Sequence, residues 1–279
     1  MAIVSFWSNG KEETAKTLSI AAIATNMAIE HNYKILLMST NYNDDTLESC
    51  FWEEEKINKS TNPFVQQRPE LDSGIEGLAK MIKSNRATPE IITNYTKIVF
   101  KDRLEVLLSI KSPSYEEYSR LRSLYVDILQ TANQYYDLIL VDVNKGLDNE
   151  FIRSILTTSD LIVTNITQRK KIIDSFMEIR DKEKKIFNKK NNMILIGRYD
   201  RFSKYTAKNI VRYMGEKHDI ATIPYCTLFF EACNEGKVAD FFLRFRTVDE
   251  SDRNAVFIKE VNKATEMIDY KLQELQMKM

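Results

Sequence analysis

Short apolar runs alternate with longer stretches of helical period along most of this chain. Residues 2–7, 34–38, 104–109, 138–142, 161–164, 193–196 and 220–223 each form a brief, nearly continuous apolar run. Such runs lack the in-out alternation of a half-exposed sheet, so both faces of each strand are expected to be covered. Between them, 15–30, 115–132 and 170–187 repeat apolar residues at helical spacing. The alternation predicts an α/β fold: a doubly wound, mostly parallel sheet of about seven strands with helices on both faces. The region 45–103 is the least regular. It is punctuated by Pro63, Pro69 and Pro89 and reads as loop and helices packed beside the sheet. The end, 252–279, reads as one long helix, with Val256, Phe257, Val261, Ala264, Ile268 and Leu272 on one face.

Composition narrows the class. A sheet of this kind can extend over 279 residues, so 1–279 is expected to be a single domain. Lys+Arg and Asp+Glu are both 40, which argues against a surface that is wholly a nucleic-acid footprint. Cys50, Cys226 and Cys233 have no metal-ligand spacing, and the two histidines make His-based catalysis a poor candidate. The first residues turn polar too soon for a signal peptide, and no run is long enough to span a membrane. A cytoplasmic protein is the expectation.

The most informative segment is Ser8-Asn9-Gly10-Lys11-Glu12-Glu13-Thr14-Ala15-Lys16-Thr17, which leaves the first strand and opens a helix. A phosphate-binding loop belongs there, because backbone N–H groups and a helix N-terminus face the anion. Lysine neutralises charge, and a hydroxyl reaches Mg²⁺. The pattern GxxxxGK[ST] is met at Gly10, Lys16 and Thr17 and missed at Ala15. Read from these residues alone, a functioning loop and a relic that has lost its ligand both remain open.

The segment KEETAKT, Lys11 to Thr17, resembles the KGGxGK[ST] loop of the ParA/MinD family of P-loop ATPases, with both lysines at the family spacing. The resemblance implies ATP or ADP with Mg²⁺ as ligand and a homodimer with nucleotide between its subunits. Gly10, Thr14, Ala15, Lys16 and Thr17 would cradle the phosphates. Lys16 would act on its own nucleotide and Lys11 on that of its partner. Glu12 and Glu13 replace the paired glycines, bring negative charge toward a triphosphate and so weaken its binding. Tyr136 to Gly146 resembles YDxIIxDxPPG, which makes Asp142, with Thr17, the expected Mg²⁺ site; Asn144 and Lys145 stand at the prolines. Ser39 and Asn41 occupy two positions that are aspartates in the family, so hydrolysis is expected to be slow or absent. Asp44 and Asp45 follow as a solvated loop with a helix cap.

Ile196-Gly197-Arg198-Tyr199-Asp200 resembles the family's base-binding segment, with glycine where relatives carry the asparagine that reads adenine. Arg198, Pro224 and Tyr225 are the further cofactor-binding candidates. Pro224-Tyr225 and Glu231-Ala232-Cys233-Asn234-Glu235-Gly236 resemble the CpaE/TadZ branch, whose members help place pilus machinery. The resemblance covers about residues 1–245. It implies a dimeric positioning or assembly factor, a weak ATPase at most, serving a membrane-associated or DNA-positioning machine. A scaffold that dimerises without nucleotide and a DNA-partition ATPase are the alternatives. The basic cluster at 182–190 reads as a solvated helix end. The segment 241–246 reads as a helix at the sheet edge.

Overall fold

The computed structural model describes residues 1–10, 13–53, 74–84, 88–110, 114–147, 150–187, 191–216 and 220–277. Eight strands form one sheet: β1 (Ala2–Trp7), β2 (Ile35–Ser39), β3 (Thr96–Phe100), β4 (Leu104–Leu107), β5 (Leu138–Asp142), β6 (Leu161–Ile166), β7 (Asn192–Tyr199) and β8 (Ala221–Pro224). Their order across the sheet is β3-β4-β2-β5-β1-β6-β7-β8, parallel except for β3. Seven strands stand where the apolar runs place them. The eighth, β3, is an antiparallel edge hairpin with β4, inside the region read as loop and helices. Its residues are half-exposed or exposed, so it carries no continuous apolar run to reveal it.

The period of two assigns side chains to two cores. Ala2, Val4 and Phe6 of β1 and Leu138 and Leu140 of β5 face one cluster; Ile3, Trp7, Ile139 and Val141 face the other. The first cluster is closed by α1 (Lys16–Glu30), α2 (Thr46–Ser49), α9 (Thr227–Asn234), α10 (Val238–Arg244) and α11 (Ala255–Gln276). The second is closed by α3 (Gly74–Lys83), α4 (Tyr115–Arg122), α5 (Tyr125–Ala132), α6 (Glu150–Thr158), α7 (Lys170–Lys182) and α8 (Ala207–Met214).

Three helical expectations are corrected. The stretch 115–132 breaks into α4 and α5 at Ser123-Leu124. The helix expected over 170–187 ends at Lys182, and Ile186 and Phe187 fold back under it; Phe187 packs on Trp7 with ring centroids 4.8 Å apart. The segment 241–246 lies partly in α10, whose Phe241 and Phe242 are buried on the core face beside α1 and not at the sheet edge. In the basic cluster, Lys182, Lys184 and Lys185 are exposed, as expected; 188–190 lie outside the described residues. Among the described residues no helix is long and apolar enough to cross a membrane.

Candidate functional site

Register brings the chemistry together. β1 and β5 are central neighbours with Phe6 opposite Asp142, and Ser39 of β2 is also opposite Asp142. The chain leaves β1 toward β2 on one side of the sheet and returns through β6, β7 and β8 on the other. The loops at the carboxyl ends of β1 and β5 therefore open at a topological switch point, where doubly wound sheets bind ligands.

There Lys16, Thr17 and Asp142 meet. Asp142 is fully buried and Lys16 is 9% exposed. The Lys16 ammonium pairs with Asp142 Oδ1 and donates to Val143 O. Thr17 Oγ1 donates to Asp142 Oδ2 at 2.7 Å. Thr40 ties the neighbouring strand in: its N–H donates to Asp142 O at 3.0 Å, and its Oγ1 accepts from Asn144 N at 2.8 Å. Tyr118 OH donates to Thr40 O at 2.8 Å, and burial pushes that phenol up to about 12, so it remains a donor at neutral pH. Ser39 Oγ accepts from Asn41 N at 3.1 Å, and Asp44 Oδ1 accepts from Thr46 N at 3.0 Å at the start of α2, whereas Asp45, at the N-cap position, makes no side-chain cap; both aspartates are half-exposed.

The first loop keeps the backbone conformations that glycine ordinarily supplies. Gly10 has φ +79, and Ala15 sits at φ 53, ψ 32, immediately before α1. For a residue with a Cβ the left-handed region costs about 1–2 kcal/mol. Ala15→Gly is therefore expected to keep or raise the unfolding free energy by up to about 1 kcal/mol, although the same change inside a helix costs about that much. Urea unfolding checks this; a clear loss of stability would mean that the strain is absent. Glu13 is 91% exposed and lies 3.8 Å from the Arg198 guanidinium, so its carboxylate stands in solvent at the edge of the cleft that Lys16 also lines. Lys11 and Glu12 lie outside the described residues, so the position of the expected partner-reaching lysine is not described.

A cleft of about 640 Å³ runs from this cluster to an aromatic end. Thr14, Ala15, Lys16, Thr17, Arg198, Pro224 and Tyr225 all line it; Gly10 lies under its wall, against Lys145. Phe229, Phe230 and Phe257 complete the apolar end. The sequence did not single these out: Phe229 and Phe230 precede the segment that carries the branch resemblance, and Phe257 reads as a core residue of the last helix. Ser19 Oγ also lines the cleft, buried and without a hydrogen-bond partner among the described residues. At Gly197 the loop closes down, since a Cβ there would sit 2.0 Å from Thr14 O.

The residues fit Mg²⁺ and phosphate at one end of the cleft. A buried carboxylate with a hydroxyl beside it suits a hard cation that keeps most of its waters. A lysine at a helix N-terminus suits phosphate. No group of three or more His, Cys, Asp or Glu side chains that could hold a metal occurs among the described residues, so a metal here would depend on one carboxylate, hydroxyl, water and ligand.

No family model and no curated protein matches the sequence. Solved structures do match the fold. The chain superposes on the septum site-determining protein MinD complexed with Mg-ADP from Pyrococcus horikoshii with a TM-score of 0.67, at 16% identity over 97% of this chain and 98% of that one. It matches a ParA family ATPase from Chlorobium tepidum with a TM-score of 0.66, at 15% identity over 97% and 98%. It also matches a plasmid partition protein from Borrelia burgdorferi bound to AMPPNP with a TM-score of 0.58, at 19% identity over 99% and 98%. The chain has the ParA/MinD-type P-loop fold.

Proposed function

We propose that this chain is a ParA/MinD-like nucleotide-dependent positioning or assembly factor built as a single domain over 1–279. The observation that carries the reading is the buried Lys16–Asp142–Thr17 cluster at the carboxyl ends of β1 and β5. Lys16 would bind the phosphates of ATP or ADP, and Asp142 with Thr17 would hold Mg²⁺. The two partners of the present ion pair would thus exchange their contacts for ligand. Bound Mg²⁺ would neutralise phosphate charge. Gly10, Thr14 and Ala15 would shape the cradle, while Arg198, Pro224 and Tyr225 would border the base.

Nucleotide acts here as a switch that favours a homodimer, with Lys11 reaching the partner's site. Asn41 and Ser39 supply no carboxylate to orient water, so turnover is weak or absent. The dimer would act in the cytoplasm on a protein partner at a membrane-associated or DNA-positioning machine, of the CpaE/TadZ kind in the finer version. The fold likeness to MinD and ParA structures supports the coarse part of this reading. A second reading, a scaffold that dimerises without nucleotide, is favoured by the inward seating of Thr14 over Gly197.

Calorimetry with Mg-ATP and Mg-ADP, with mass read by light scattering in the same samples, separates the two. The switch predicts micromolar ATP binding that drives dimer formation. Lys16→Ala would weaken that binding by tens to hundreds of fold, about 2–3 kcal/mol for a lost charged hydrogen bond. No binding at millimolar ATP, with a dimer already present, leaves the scaffold.

A further inference from the structure

The turn after β5 is fixed at its backbone and carries a long cation over the first loop. Val143 N donates to Phe6 O at 3.0 Å, and Gly146 N to Ser8 O at 3.0 Å. Trp7 Nε1 donates to Gly146 O at 2.7 Å. Asn144 N donates to Thr40 Oγ1 at 2.8 Å, and Asn144 Oδ1 accepts from Lys145 N at 2.8 Å. The turn is therefore held to the ends of both β1 and β2.

Lys145 stands at its tip. Its stem lies against Gly10: a Cβ built on that glycine would be 3.2 Å from Lys145 Cβ and 3.4 Å from Cγ. The side chain is exposed and lines the same cleft as Lys16 and Thr17. The charge of Lys16 is met by Asp142, whereas Lys145 makes no ion pair with a described residue. Of the described cations that line the cleft, Lys16 is met by Asp142 and Arg198 lies 3.8 Å from Glu13, so Lys145 is the one left to meet an anion, with Asp44 the carboxylate elsewhere in the lining. Nearby like charges repel unless an anion lies between them. A flexible ammonium on a fixed backbone is suited to the outermost, most highly charged part of such an anion.

We propose that Lys145 binds the terminal phosphate of a nucleoside triphosphate held in the cleft of its own chain. The inference rests on the nucleotide reading above and adds a residue to it. It gives one chain its own preference for triphosphate over diphosphate, set by the turn after β5, beside the contact proposed for Lys11 across a dimer.

The test compares Mg-ATP and Mg-ADP affinities of the unchanged protein, Lys145→Ala, Lys145→Arg and Arg198→Gln by calorimetry. Lys145→Ala is expected to lose about tenfold in ATP affinity, the size of one charged hydrogen bond, while ADP affinity stays within about twofold. Lys145→Arg should keep most of the ATP affinity. Because the side chain is exposed, melting without nucleotide should be unchanged, which separates a phosphate contact from a structural role. Chains carrying Lys145→Ala mixed with chains carrying Lys16→Ala should not regain ATP binding; recovery would mean action across a dimer and overturn the assignment in cis. An unchanged ratio of ATP to ADP affinity in Lys145→Ala overturns the inference and leaves the nucleotide reading standing. So does an equal fall in the ratio of ATP to ADP affinity in Arg198→Gln, which would point to the general field of the cleft; a drop shared by both nucleotides there reports only its place beside the base. Failure of the unchanged protein to bind either nucleotide overturns both.

Discussion

Lys16→Ala lowers the unfolding free energy by about 3–5 kcal/mol, even with no nucleotide present. Asp142 is fully exposure-free at the end of a central strand, and Lys16 is the cation that meets it. Removing one partner of a buried pair leaves the other charge without compensation, and that, more than the lost attraction, sets the size of the effect. Thr17 Oγ1 still donates to the other carboxylate oxygen, which limits the loss without cancelling it. Lys16→Met combined with Asp142→Asn should recover most of the stability, because the charge is then removed from both sides, with a coupling energy of about 1–3 kcal/mol in a double-mutant cycle. Urea unfolding of the unchanged protein, Lys16→Met, Asp142→Asn and the double variant measures the coupling, with Lys16→Ala unfolded beside them. If Lys16→Ala costs less than about 1 kcal/mol, the lysine is not seated on the carboxylate. Interpretation of the nucleotide experiment depends on this result, since a variant that loses binding by unfolding says nothing about phosphate.

Gly197→Asn, which installs the asparagine of the pattern that residues 196–200 resemble, is expected to damage the fold. A Cβ at this position would lie 2.0 Å from the Thr14 carbonyl oxygen and 3.2 Å from its carbon. Both sides of the clash are backbone: β7 is held in register with Ile223 of β8, and Thr14 belongs to the loop that enters α1. No flexible side chain can yield, so the loop must lift or the strand must shift. Overpacking of this kind costs about 1–3 kcal/mol, and a backbone contact belongs at the upper end. For a protein of this size the melting temperature should fall by roughly 4–12 °C. Faster amide exchange over residues 8–15 than in the unchanged protein would show that the loop is the part that moves. A variant that melts within a degree would mean that Thr14 does not occupy this space.

The fate of these two glycine-like positions shows where reading the chain succeeded and where it stopped. Ala15 and Gly197 each read as a departure from the family pattern, one an added side chain and the other a missing one. In the fold they belong to one adjustment: the loop keeps a left-handed residue at Ala15 and lays Thr14 into the space that glycine leaves at position 197. Each substitution is visible along the chain; their compensation is a contact between residues about 180 positions apart.

What the sequence determined by itself is the part set by local periodicity. Seven apolar runs marked seven strands, because strands covered on both faces have no polar alternation to blur them. A helix entered directly from a lysine-bearing loop marked the carboxyl end of β1, and the segment ending in Asp142 marked that of β5. Tertiary structure decided what periodicity leaves open. The exposed edge strand β3 owes its existence to pairing with β4 and not to burial. The break between α4 and α5 and the early end of α7 follow how each segment packs on the sheet. Parallel register put Asp142 beside Phe6 and Ser39, so that residues over 100 positions apart form one buried cluster. The same turn carries Lys145 over Gly10. These are consequences of strand order, which depends on how all the apolar faces are buried together, and no single segment contains that information.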